Sequence, residues 1–301
     1  MEKQSFGKGI LFAVSAYLVW GLLPLYWKLL AALNPFHILG YRILFSAILV
    51  GIVLLAAKNI SWLKIFKDRR KIFIMIMIAL MISVNWGLYI YAINTGHTIY
   101  TSLGYYMNPL FSIVMGMIFF REKLRKLQLI AFGLALTGVL IITILTGSVP
   151  IISLGLAITF AVYGLLKKKV SLPALESLGL ETLLASPIGI MLLCISFGAN
   201  GSINFPEPQG FSYWTELPFR ILFILLFCGF VSSFPLYLFA RGANMLPLST
   251  LGFCQFLAPT LTFLTGLFIF GESFPPQNFI AFAFIWAAVI LYIISLFKSA
   301  D

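Results

Sequence analysis

Few side chains in this sequence could do chemistry, and those that could lie inside long apolar runs. Arg42 sits in "HILGYRILF", Asn85, Trp86 and Tyr89 interrupt "MISVNWGLYIY", Asn94 follows in the same run, and Tyr105 and Asn108 stand in "LGYYMNPLF". Asn244 and Gln255 occupy comparable places in the second half. These groups suit recognition more than bond breaking. A guanidinium is a fork of donors that fits a carboxylate or phosphate, amides and phenols meet neutral polar groups, and an indole offers a flat apolar face.

Spacing gathers them on helix faces. Asn85 and Tyr89 are four apart, Tyr105 and Asn108 three apart with Ser112 one turn on, so each set shares a side if its run is helical. Polar groups inside lipid-spanning segments are costly and are expected to pair, face the bundle interior or line a wet cavity. The competing reading is that they only cross-link helices, at about 0.6 kcal/mol each. Tyr17, Trp20, Trp27 and Tyr163 are aromatic candidates for the same cavity or for plain packing.

Arg42 lies six residues after Phe36, about 9 Å into its run at about 1.5 Å per residue. Glu181 is the carboxylate comparably inside a run, but it enters from the opposite side, so the two are poor partners. Arg42 therefore meets backbone carbonyls or water, or an anionic group of a solute. Lys28, near a run's end, is expected to snorkel to the interface.

The elements that must position these residues follow from composition. The chain has 301 residues, 61% hydrophobic and 10% charged, with a mean hydropathy of +1.04, outside the usage of water-soluble domains. Apolar stretches long enough to cross a bilayer fall at about 8–30, 36–57, 72–93, 99–120, 127–146, 150–167, 178–198, 219–240, 247–270 and 278–297. Continuous runs of this length argue for helices and against a β-barrel. The first run is longer than a signal-peptide core and no small-residue cleavage site follows, so it reads as a retained helix. Cys194, Cys228 and Cys254 fall inside runs and give no disulfide or metal spacing.

The net charge of +11 is distributed by loop. Lys58 to Lys71, Arg121 to Lys126 and Lys167 to Lys169 cluster in alternate connections, whereas the connection near 199–218 carries Glu207 and Glu216. By the positive-inside rule both termini are cytoplasmic, and the basic balance is topological, with no nucleic-acid partner.

Sliding the chain against itself by 150 residues aligns Asn94 with Asn244, Pro109 with Pro259, Gly116 with Gly266 and Glu122 with Glu272. A shift of 143 sets Trp20-Gly21 against Tyr163-Gly164. In the repeat mate of helix four, Gln255 replaces Tyr105, Ala258 replaces Asn108 and Thr262 replaces Ser112. Each half, 7–147 and 150–298, holds five helices. An odd number makes the second enter from the side opposite to the first, so the repeats are inverted, a construction characteristic of secondary transporters. Pro109 is expected in the first turns of helix four, and Glu122 at its end as a surface anchor and ion-pair partner of its basic neighbours.

Two five-helix repeats, each closing its fourth helix with proline and then glutamate, resemble the EamA branch of the drug/metabolite transporter superfamily. "NWGLYIYAINTGH", "SLGYYMNP", "YGLLKK", "GLETLLASPIG", "LSTLGFCQFLAPT" and "FGESF" resemble its RarD group. In one departure, that group usually carries a glutamate shortly before a His-Arg pair, where this chain reads "NPFHILGYR". The resemblance implies a ten-helix permease for amino acids, nucleotide sugars, drugs or other metabolites.

The expectation is an all-α integral membrane protein of the cytoplasmic membrane that moves a small polar or amphipathic metabolite or drug by alternating access. Its partners are a small-molecule substrate and the bilayer, with room for a homodimer; no cofactor or metal is expected. The site should lie near the midplane between helices three and four and helices eight and nine, with Arg42, Asn85, Trp86, Tyr89, Asn94, Tyr105, Asn108, Asn244 and Gln255 as candidates. A GxxxxGK[ST] loop is absent, which argues against an ATP-driven pump. His37 and His97 are isolated from carboxylates, which argues against an enzyme. A non-transporting assembly protein rests only on small-residue spacings such as Ser112-x3-Gly116 and Gly229-x3-Ser233, which permit close packing.

Overall fold

The computed structural model describes residues 3–30, 33–58, 61–94, 98–146, 151–194, 196–197, 203–204, 218–271 and 278–297. Helices α1 (Lys3–Lys28), α2 (Pro35–Ala56), α3 (Arg69–Asn94), α4 (Thr98–Phe119) and α5 (Lys126–Thr146) form the first half. The second holds α6 (Ile151–Val170), α7 (Ala174–Cys194), α8 (Phe219–Met245), a broken span made of α9 (Leu248–Gln255) and α10 (Leu257–Phe268), and α11 (Asn278–Phe297). A short 3₁₀ helix, Ser61–Lys67, precedes α3, and two-residue strands Ser196–Phe197 and Ile203–Asn204 pair after α7. Among the described residues nine helices are long and apolar enough to cross a membrane, with α9 and α10 counted as one. The 22-residue α4 has the length to join them.

Local sequence sets the helix starts. Asn34 accepts the Phe36 amide at 2.9 Å and Pro35 occupies the first turn of α2, where a missing N–H is harmless. Asp68 accepts the Arg70 and Lys71 amides, each at 3.1 Å, at the head of α3. Outward faces are apolar: Ile52, Phe73, Ile144, Phe223, Phe268 and Ile280 are exposed, as lipid-facing side chains should be.

Packing follows the duplication. The partnerships α1·α8 and α3·α6, α2·α8 and α3·α7, and α1·α10 and α4·α6 exchange when the halves are swapped; α2·α7, α4·α9 and α5·α11 map onto themselves. A pseudo-twofold axis therefore relates two five-span repeats. At the α2·α7 crossing Gly40 and Gly189 face each other. A Cβ on Gly40 would lie 3.0 Å from the Gly189 carbonyl, and one on Gly189 3.3 Å from the Gly40 carbonyl. Small residues permit this approach, which is how helices associate where lipid supplies no hydrophobic drive.

Four boundary expectations are corrected. The sixth span does not stop at 167: α6 runs to Val170, and Lys167 turns inward to a buried partner, Glu181. Span nine breaks at Phe256, since Pro259 cannot donate to the Gln255 carbonyl one turn back. Pro109 sits well inside α4 instead of in its first turns. Its missing amide frees the Tyr105 carbonyl at the level where both neighbours, Tyr105 and Asn108, face a cavity.

Glu122 is the fourth. It makes no ion pair with its basic neighbours among the described contacts. Instead its carboxylate accepts the Leu248 amide at 2.7 Å and the Ser249 amide at 2.8 Å. Pro247 precedes α9 and has no side chain that can cap it, so a carboxylate from the other repeat satisfies the orphan donors.

Candidate functional site

A single face of each inner helix builds the site. On α1, Tyr17, Trp20, Pro24 and Trp27 recur at helical spacing; Ile82, Asn85, Trp86 and Tyr89 do so on α3, and Tyr105 and Asn108 on α4. Arg42 comes from α2, Phe160 from α6, Leu236 from α8, and Gln255, Ala258, Pro259 and Thr262 from the broken ninth span. They line a cavity of about 150 Å³. Both repeats contribute, as expected for a site at the repeat interface.

The cavity is displaced toward one membrane face. Its residues occupy the second half of α1 and α3 and the first half of α2 and α4, all toward the α1–α2 and α3–α4 connections. On the other side the bundle is filled. Tyr17, Trp20, Phe160, Tyr163 and Phe239 pack ring on ring, with Tyr163 and Phe239 stacked at 5.7 Å. Behind this layer Tyr163 donates to Glu181 Oε2 at 3.4 Å, and Lys167 pairs with the same carboxylate while donating to Ser177 at 2.9 Å. Lys167 and Glu181 are both 2% exposed. Lys168 donates to the Leu246 carbonyl, next to the strap that Glu122 makes with α9.

Seven of the candidate residues meet in the cavity: Arg42, Asn85, Trp86, Tyr89, Tyr105, Asn108 and Gln255. Arg42 Nε donates to Ser232 at 3.1 Å, and its guanidinium carbon lies 4.1 Å from the Trp86 ring centre and 4.8 Å from that of Trp27. Two indole faces thus hold the cation by cation–π attraction. Asn85 is committed to structure, since its Nδ2 donates to the Leu156 carbonyl at 2.8 Å and to Thr159 at 2.9 Å, stitching α3 to α6. Tyr89 and Tyr105 approach to 5.8 Å between ring centres. Gln255 accepts from Ser112 at 3.4 Å.

Asn108 differs from all of these. It is 1% exposed, and neither its amide nitrogen nor its oxygen has a hydrogen-bond partner among the described residues. A buried amide left wholly unpaired costs about 1–3 kcal/mol, so in such a place it calls for an explanation.

Asn244 is not brought to the cavity. It donates to the Leu172 carbonyl at 2.7 Å, anchoring the turn between α6 and α7, because its position at the end of α8 points away from the centre. The side chain of Asn94, and all of His97 and Glu272, lie outside the described residues. Lys28 is exposed at the end of α1 and lies 3.8 Å from the Phe270 ring centre. Sequence reasoning did not single out Ser232, Phe160 or Leu236, which are ordinary residues in apolar runs. It also placed Lys167 in a loop, and the one available signal was a lysine turned inward one helical turn beyond Tyr163.

The chain resembles known proteins along its whole length. The EamA-like transporter family matches residues 7–144 and again 148–294. The chain is 38% identical to the uncharacterized transporter YojE of Bacillus subtilis (strain 168), covering 99% of this chain and 97% of that protein. Protein RarD of Escherichia coli (strain K12) is 36% identical over 97% of this chain and 96% of its own length. A solved crystal structure shares the fold with a TM-score of 0.71 at 15% identity, covering 98% of this chain and 99% of that one. The chain belongs to the EamA-like transporter family, in its RarD branch, as a multi-pass protein of the inner membrane.

Proposed function

We propose that this protein is a secondary transporter that moves a small polar or amphipathic solute through the cavity between its repeats, 7–147 and 150–298, by alternating access. One observation carries the reading: a solute-sized cavity lined by both repeats lies off-centre, while the opposite side is filled by the Tyr163–Phe239 layer, the Lys167–Glu181 pair and the Glu122 strap. A duplicated fold related by a twofold axis can adopt the mirror arrangement by exchanging the conformations of its halves. The charge of the loops supports cytoplasmic termini, which would make the present cavity face outward and the strap a cytoplasmic closure.

Within the cavity Arg42 and Asn108 make the polar contacts and the indoles and Phe160 form the walls. Asn85 positions α3 against α6. The test is flux. Purified protein in proteoliposomes should exchange a loaded solute for its labelled form across the bilayer, and Asn108→Leu should abolish the exchange. Solute binding without exchange would overturn the transport reading.

A further inference from the structure

Charge and hydrogen-bonding capacity in the cavity narrow the solute class, given the transport reading above. Among the described residues that line the cavity, Arg42 is the only charged side chain and none is a carboxylate. The Lys167–Glu181 pair neutralises itself behind the aromatic layer, and Glu122 is spent on the α9 amides. Arg42 is held at Nε by a neutral hydroxyl and lies over two indole rings. Its terminal nitrogens have no hydrogen-bond partner among the described residues. Among the described residues the cavity therefore carries one uncompensated positive charge, in surroundings where an isolated ion is strongly disfavoured.

We infer that the solute is a monovalent organic anion with an apolar or aromatic body, whose carboxylate or like anionic group is received by Arg42 between Trp27 and Trp86. A solute of one negative charge cancels the site charge. A dianion leaves a charge over, a cation is repelled, and a zwitterion brings an ammonium that finds no carboxylate. Asn108, with a donor and an acceptor both vacant, receives one neutral polar group on the same solute. Trp20, Trp27, Trp86 and Phe160 supply flat walls for the body.

A matched set of probes tests this: 3-phenylpropionate, 3-phenylpropanol, 3-phenylpropylamine and phenylalanine on one carbon skeleton, and phenylsuccinate with one further carboxylate carbon. The readout is the rise in unfolding temperature of the purified full chain with probe concentration, converted to an apparent Kd. The monoacid is expected to bind at least about tenfold more tightly than each of the others, the gain of one charge-assisted contact. In Arg42→Gln the monoacid should fall to the level of the alcohol, with alcohol binding unchanged within about twofold. If that variant does not yield folded protein, Arg42→Lys should keep the ranking with a weaker monoacid, because an ammonium lacks the planar fork.

Absence of monoacid binding, or equal or tighter binding of the alcohol, amine, zwitterion or dianion, overturns the inference. Counterflow separates it from the reading on which it rests. Exchange of a cationic or neutral solute but not of the monoacid sinks the anion class alone, and monoacid binding with no exchange of any solute sinks transport alone.

Discussion

The carboxylate of Glu122 accepts the amide of Ser249 at 2.8 Å, so the end of α4 in one repeat caps the start of α9 in the other. The neighbouring Leu248 amide shares the carboxylate at 2.7 Å. Gly116 makes the space: a Cβ there would lie 2.6 Å from Glu122 Oε2 and 3.0 Å from the Ser249 nitrogen. Arg121, at φ 53°, turns the chain back so that Glu122 reaches this place. The contact joins the repeats on the side away from the cavity.

Glu122→Ala should lower stability by about 1–2 kcal/mol, the worth of a lost charged helix cap. Gly116→Ala should produce a similar loss by displacing the carboxylate, and the double variant should be no worse than the more damaging single one. Thermal unfolding of the purified variants measures all three, and additive losses would show that the two residues act separately.

The two asparagines should respond in opposite ways. Asn85→Leu removes bonds to Leu156 and Thr159 and should destabilise by about 1–3 kcal/mol. Asn108→Leu removes no bond to the described residues and should leave stability equal or higher, while solute exchange is lost. Paired unfolding and counterflow measurements decide between this division and an equal structural role for both.

Breaking the Lys167–Glu181 pair should be among the most damaging single changes. Lys167→Met or Glu181→Leu alone leaves an unpaired buried charge and should cost about 3–5 kcal/mol, whereas the double replacement should recover most of it. Unfolding of the three variants in detergent tests this, and a double variant as unstable as the sum of the singles would contradict it.

Much of this arrangement is legible in the sequence because lipid makes polar residues informative. Arg42, Asn108 and Tyr105 stand out in apolar runs, and helical spacing puts Tyr105 and Asn108 on one face. The duplication is legible through Pro109 and Pro259, although only the span that carries Pro259 breaks. Glu122 is not legible in this way. Its partners are backbone amides on a helix far along the chain, and amides carry no sequence signal. Lys167 was hidden for the opposite reason, since its basic neighbours made an inward lysine look like part of a loop. Ser232 became meaningful only once α8 was packed on α2 beside Arg42.

The most direct measurement is sidedness of access to the cavity. In a chain with Cys194, Cys228 and Cys254 replaced by Ala, Thr262→Cys, at an exposed position in the cavity wall, is reacted with a membrane-impermeant thiol reagent in vesicles of each orientation. The otherwise unaltered protein should be labelled from the face of the α1–α2 connection. Adding Glu122→Ala should open labelling from the face of the α4–α5 connection and reduce it from the first. Labelling confined to one face in both proteins, or from neither, would contradict alternating access through this cavity.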